Sequence, residues 1–294
     1  MSDRAAELME TRIIRVFPRK TKATPDDDLA YVGPPDLFAP QADEVHISVA
    51  FTADVPKAER LAYEWQGYAR TIKMGGPGLH QRSEEFVPGL YIKPGYVITS
   101  RGCPCTCWFC DVWKRENDKP KAPPRELAIA DGWNILDDNL LACSRSHVEA
   151  VFAMLRRQKR RAEFTGGLWA AGLEDYQVGL LADLSPLPKC YFAYDPGDHF
   201  DTLRSAAQRM LAAGFTQCSH RLCVYVLIGY PRDTFAEAET RLQQMVDIGF
   251  TPFAMLWQPD TPSAEKFRPD PAWRKFQRRW IRPAIIHAKK GPAQ

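Results

Sequence analysis

The chain has 294 residues, 45% apolar and 26% charged, enough for roughly two domains with a real core and unlike a disordered, collagen-like or repeat protein. Its 39 basic and 36 acidic residues leave a net charge of +3, too near balance to imply a nucleic-acid partner by itself. The longest uninterrupted apolar stretch, Leu222 to Ile228, is far short of the ~20 residues of a membrane span, and the first residues carry no apolar signal core. A cytoplasmic protein without a membrane partner is expected.

Arg12–Phe17, Glu44–Phe51 and Arg70–Met74 read as strands, and Lys57–Glu64 reads as a helix ahead of Gly75-Gly76-Pro77-Gly78. Four of the eight cysteines, Cys103, Cys105, Cys107 and Cys110, then crowd into eight residues. In a reducing compartment such a run points to metal binding or catalysis before disulfides. All four could form a closed tetrathiolate of the structural zinc type, although zinc sites generally draw on two separated pairs. Cys103, Cys107 and Cys110 alone have the spacing C-x3-C-x2-C, and three thiolates on one loop suit a cubane [4Fe–4S] cluster that keeps one iron open. Cys105 is then a bystander, a competing ligand or a redox-sensitive thiol.

Beyond the cysteines, strands and helices alternate, as in parallel α/β proteins. The stretch Glu116 to Arg125 is too rich in proline for a normal helix. Gly132–Asp137 reads as a strand ending in Asp137, Asp138 and Asn139, followed by a helix with Ser146 and Glu149 as a capping box. Arg161–Thr165 is the next strand, ended by Gly166-Gly167. A helix over Glu174–Ala182, a strand over Lys189–Tyr194 and a helix over Thr202–Ala213 follow. The apolar run Arg221–Ile228 ends in Gly229-Tyr230-Pro231, and Thr234 with Glu237 opens the next helix as a second capping box. Thr251–Trp257 is the last strand. A final helix starts at Asp270 and Pro271, carries Trp273, Phe276 and Trp280 on one stripe, and stops at Pro283.

Ser100-Arg101-Gly102-Cys103-Pro104-Cys105-Thr106-Cys107-Trp108-Phe109-Cys110 resembles the cluster loop of the radical S-adenosylmethionine superfamily, with Phe109 as the aromatic residue before the last cysteine. Tyr91–Arg101 looks like the barrel strand that feeds it. The resemblance implies a partial (β/α)6 barrel over residues 91–260, with a shortened Rossmann-like region over 1–90 and a C-terminal helix and tail over 261–294. The residues before 90 are similar to part of the cobalamin-binding domain of relatives, but the signature D-x-H-x-x-G is absent, which argues against a cobalamin cofactor. The implied activity is reductive cleavage of S-adenosylmethionine to a 5′-deoxyadenosyl radical that takes hydrogen from a substrate. An electron donor such as flavodoxin or ferredoxin would serve it.

The resemblance also implies roles for particular residues. Cys103, Cys107 and Cys110 would ligate the cluster. Asp137, Asp138 and Asn139 would hold the methionyl ammonium; a helix-capping turn is the plainer account of them. Ile228 would pack on adenine and Gly229 would give backbone clearance, with an ordinary strand–turn junction as the alternative. Gly166, Gly167, Tyr194 and Asp195 are candidates for ribose or substrate contact, against loop glycines and a helix cap. Cys143, Cys190, Cys218 and Cys223 read as buried structural thiols rather than a second cluster. His147, His199 and His220 read as surface or capping groups. The basic runs Arg156–Arg161 and Arg274–Arg279 read as solvated faces, although a metal-stabilised module that touches nucleic acid through them is the alternative from a different functional class.

Overall fold

The computed structural model describes residues 11–195, 197, 199–259 and 269–280. Two parallel sheets organise them, so the architecture is α/β. The first sheet has the order β2-β1-β3-β4, with β1 at Ile13–Phe17, β2 at Ala30–Val32, β3 at Glu44–Ser48 and β4 at Thr71–Gly75. Helix α1 (Val55–Glu64) crosses from β3 to β4 and covers one face, where Ile14, Val16, Val45, Ile47, Leu61 and Trp65 form a small core. Strands project alternate residues to opposite faces, so Arg15 of β1 and its register partner His46 of β3 point the other way. Both are nevertheless buried, because residues 89–91 lie across that face. Arg15 Nη1 donates to the Leu90 carbonyl at 3.2 Å, and His46 Nδ1 meets the Tyr91 hydroxyl at 2.5 Å.

The second sheet has the order β5-β8-β9-β10-β11-β12, all parallel: β5 at Gly95–Val97, β8 at Gly132–Ile135, β9 at Glu163–Leu168, β10 at Lys189–Tyr194, β11 at Leu222–Ile228 and β12 at Thr251–Leu256. Between β5 and β8 a short antiparallel ladder joins β6 (Ser100–Arg101) to β7 (Arg125–Glu126). That ladder pins together the two ends of the segment that carries all four clustered cysteines. Inside it, α2 is one short helix at Val112–Glu116, as the prolines require.

Helices α3 (Arg145–Arg156), α4 (Asp175–Ala182), α5 (Phe200–Ala212) and α6 (Phe235–Asp247) connect the remaining strands, and α7 (Pro271–Arg279) packs behind β12. With strands in sequential order, right-handed crossovers place every helix on one face. The core agrees: Phe164, Phe192, Val224, Val226 and Ile228 from alternate strand positions meet Phe152, Leu181, Met210, Leu242 and Phe276 from the helices. Each such large side chain contributes ~1.5–3 kcal/mol on burial. The opposite face carries Thr165, Tyr191, Cys223, Tyr225 and Phe253, with Tyr191 and Tyr225 stacked at 5.0 Å.

Several sequence expectations are corrected. Gly166 and Gly167 lie inside β9 rather than ending it. Helix α3 is capped by Ser144, whose hydroxyl accepts from His147 N–H at 3.3 Å, not by Ser146. His147 is buried rather than a surface group, and its Nε2 lies 3.2 Å from Thr99 Oγ1. Cys190 and Cys223 are buried as expected, but Cys143 is half-buried and Cys218 exposed. Strand β2 was not anticipated. The capping box of Thr234 and Glu237 and the N-cap at Asp270 are present. Pro283 lies outside the described residues. Among the described residues no helix is long and apolar enough to cross a membrane.

Candidate functional site

The site gathers where β5 and β8 end. Three consecutive residues after β8 each hold a different part of the chain leading into the cysteine loop. Asp137, fully buried, accepts from Thr99 N–H at 2.6 Å, Thr99 Oγ1 at 2.6 Å and Ser100 Oγ at 2.8 Å. Burial pushes its carboxyl above the usual range, and these three donors oppose the shift. Asp138 accepts from Gly102 N–H at 2.9 Å and from Arg101 Nη1 at 3.4 Å. Burial raises its carboxyl too, against the Arg101 charge. Asn139 donates through Nδ2 to Cys103 Sγ at 3.3 Å. Its Oδ1 is buried and accepts no hydrogen bond, an uncommon condition for an amide oxygen.

Cys103 is gripped from the other side by Asn117, just beyond α2. Asn117 Oδ1 accepts from Cys103 N–H at 3.1 Å, and its Nδ2 donates to the Cys103 carbonyl at 2.7 Å. Gly102 makes that approach possible: its φ is +103°, and a Cβ there would sit 2.4 Å from Asn117 Oδ1. Further along the loop, Trp113 Nε1 donates to the Cys107 carbonyl at 3.1 Å. The loop is also tied to the first sheet's side of the molecule. Glu116 of α2 accepts from Ser83 Oγ at 2.6 Å and from Ser83 N–H at 3.1 Å, and Arg115 Nη1 donates to the Pro77 carbonyl at 3.4 Å.

Cys103, Cys105, Cys107 and Cys110 form no disulfide and are half-buried on this braced loop. The Cys103 thiol is pulled down to about 6, chiefly by its hydrogen bond with the Cys105 thiol and then by Asn139, while burial pushes Cys110 up to about 12. Among the described residues no three His, Cys, Asp or Glu side chains converge tightly enough to hold a metal ion. The loop therefore carries four sulfur donors that are not gathered into a metal-binding group. By type alone, cysteine sulfurs are the donors that an iron–sulfur cluster takes.

The other expected contact residues fall in two groups. Phe109 lies on the loop itself, edge-on to Trp108 at 5.4 Å. Gly166 stands against Asp137: a Cβ there would lie 2.2 Å from the Asp137 carbonyl oxygen. Gly229, with φ +71°, donates its N–H to Asp233 Oδ2 at 2.7 Å. By contrast, Ile228 is enclosed in the helix-side core, and Tyr194 points the same way, its hydroxyl donating to Gln244 at 3.3 Å. Sequence reasoning missed Asn117, Ser83, Glu116, Thr99 and His147. Parts of the basic run are spent within the fold: Arg157 pairs with Asp131 at 3.4 Å, and Arg160 lies over the Trp133 ring at 4.4 Å.

Gly166→Ala should destabilise the fold by about 1–3 kcal/mol, because backbone cannot yield to a new methyl as a flexible side chain can. The same shift should move the turn that holds Asp137. Urea unfolding measures the loss, and a change below ~0.5 kcal/mol would contradict the packing described.

Compared with known proteins, the chain matches no family model and no curated protein sequence.

Proposed function

We propose that the chain is a radical S-adenosylmethionine enzyme, with Cys103, Cys107 and Cys110 holding a [4Fe–4S] cluster at the open end of a partial (β/α)6 barrel. In this reading β5 and β8–β12 are the barrel strands, and residues before 90 form a shortened Rossmann-like layer. Two features support the barrel. Helices α3–α7 pack into one core on one face of the second sheet, and the cysteine loop after β5 meets the chain after the opposite edge strand, where the Trp108 ring lies 6.4 Å from that of Trp257. A flat sheet would keep those ends apart.

The observation that carries the functional reading is the unused Oδ1 of Asn139, whose own Nδ2 holds Cys103. A buried amide oxygen without a donor costs ~1–3 kcal/mol, and an ammonium N–H beside the first thiol would relieve it. When bound, such a cluster would supply a low-potential electron and one open iron site for the reductive cleavage of S-adenosylmethionine. The chain's own part is positional. Asp137 and Asp138 fix the strand ends, so Asn139 is the member of the trio left to face a ligand. Asn117 and Trp113 hold the backbone of Cys103 and Cys107. Flavodoxin or ferredoxin would deliver the electron.

Anaerobic reconstitution with iron and sulfide should give a brown protein that, with dithionite and S-adenosylmethionine, forms 5′-deoxyadenosine detectable by liquid chromatography. Protein that stays colourless, or that takes up zinc and no iron, overturns the reading.

A further inference from the structure

The stretch between Cys110 and β7 carries positive charge that the site described above does not use. Lys114, Lys119 and Lys121 are exposed, and among the described residues no carboxylate pairs with any of them. The acidic groups of the stretch are spent elsewhere: Asp118 on Arg82 at 2.7 Å, and Asp111 and Glu116 on Arg115 at 3.0 Å each. This surplus lies directly behind the first cysteine. Asn117, which holds the Cys103 backbone, also donates through Nδ2 to the Ala122 carbonyl at 3.4 Å. Pro124 Cα is 3.6 Å from the place a Cβ on Gly102 would take. Lys114 makes a second tie: its Nζ lies over the Trp113 ring at 5.5 Å, and that indole N–H donates to the Cys107 carbonyl at 3.1 Å.

Backbone strain marks the same turn. Lys119-Pro120-Lys121-Ala122 closes with Ala122 N–H donating to the Lys119 carbonyl at 3.2 Å, and Lys121 has φ +62°. A turn with proline second and a left-handed third residue ordinarily takes glycine or asparagine in that third place. A lysine held there is strained, and such strain gathers where a side chain is needed for function. Three unpaired ammonium groups in one exposed patch attract and orient an acidic protein. Nucleic acid is the weaker fit, because its affinity comes from neutralising many phosphates in a row, and here the Asp118 carboxylate stands between Lys114 and Lys119 in the chain.

We infer that Lys114, Lys119 and Lys121 form the docking surface for an acidic one-electron carrier protein, with Trp113 and Asn117 as the side chains between that surface and the cysteine loop. Docked there, the reduced carrier loses one electron to the thiolate-bound group, and no atom is exchanged. For that step the inference rests on the radical reading above. The docking itself does not need the cluster.

Isothermal titration of the full chain at low salt with a purified flavodoxin, and separately with a [2Fe–2S] ferredoxin, tests it without added iron, sulfide or S-adenosylmethionine. Saturable binding of at least one carrier is expected, lost as salt rises and weakened about 10-fold by Lys119→Glu combined with Lys121→Glu. Lys159→Glu, which reverses an exposed charge in the turn from α3 into β9, should leave it unchanged. Lys121→Gly separates charge from folding: the left-handed strain is relieved, so the urea midpoint should hold or rise while carrier binding falls. No saturable binding of either carrier, equal weakening by Lys159→Glu, or tighter binding of a short DNA duplex to the same lysines overturns the inference. Lysine-dependent docking alongside absent 5′-deoxyadenosine would sink the radical reading alone. Product formed with dithionite, alongside carrier binding indifferent to these lysines, would sink the docking surface alone.

Discussion

Replacing Cys103, Cys107 or Cys110 singly by serine should each abolish the brown chromophore and 5′-deoxyadenosine formation, whereas Cys105→Ser should retain both. The contrast follows from ligand count. A cluster with one open iron needs three thiolates, and an alkoxide is a poor substitute for the soft sulfur donor. Cys105 touches Cys103 by a hydrogen bond between thiols, and losing that contact removes no ligand. Iron and sulfide analysis of the four variants, with product measured on each, checks this. If Cys105→Ser loses iron while one of the other three keeps it, the ligand set is wrong. Should all four lose it together, a closed tetrathiolate is the better description.

Glu116→Ala should cost about 3–5 kcal/mol, the largest stability effect expected of a surface-distant charge here. The Glu116 carboxylate is completely buried and accepts from Ser83 and from Arg115 Nε at 3.0 Å, with Arg125 at 3.7 Å. Removing it leaves the nearly buried Arg115 guanidinium with Asp111, at 3.0 Å, as its remaining ion-pair partner among the described residues. Burial alone would raise the Glu116 carboxyl, but the hydrogen bonds from Ser83 and Arg115 and the Arg115 and Arg101 charges outweigh it, so it titrates below the ordinary 4.5. A depressed carboxyl contributes stability that is complete above its unfolded value and is lost as pH falls through its folded one. Wild type should therefore lose stability in acid below about pH 4.5 more steeply than Glu116→Gln, and the gap between them should narrow there. Urea unfolding at pH 7 and at pH 4 measures both effects. A gap that widens in acid would show that the carboxylate is not the stabilising form.

How much of this was legible in the sequence varies with the range of the interaction. The strand Lys189–Tyr194, the Thr234 capping box and the Asp270–Pro271 helix start were read correctly, because each is written in residues within a few positions of one another. The alternating α/β order and the parallel sheets followed from the same local patterns. Strand β2 was not legible: it is three residues long, and its pairing with β1 is set by a loop that brings Leu29 O to Arg15 N–H at 2.8 Å. Gly166 and Gly167 read as a stop because glycine commonly ends strands. What requires Gly166 is the Asp137 backbone beside it, which no local pattern reveals. Glu116 and Asn117 looked like part of a degenerate, proline-rich stretch. Their partners are 33 and 14 residues away, so the stretch that seemed least structured is the one that braces the first cysteine.

The segment between the two sheets bears on where the chain can be divided. Lys93 N–H donates to the Ala23 carbonyl at 2.9 Å, Arg15 reaches the carbonyls at 89 and 90, and Ser83 meets Glu116, so the thiol-bearing turn leans on the amino-terminal third. Residue 90 is thus not a place to cut. A fragment expressed from there onward would lose the contacts that hold Glu116 and, through its neighbour Asn117, the first cysteine in register.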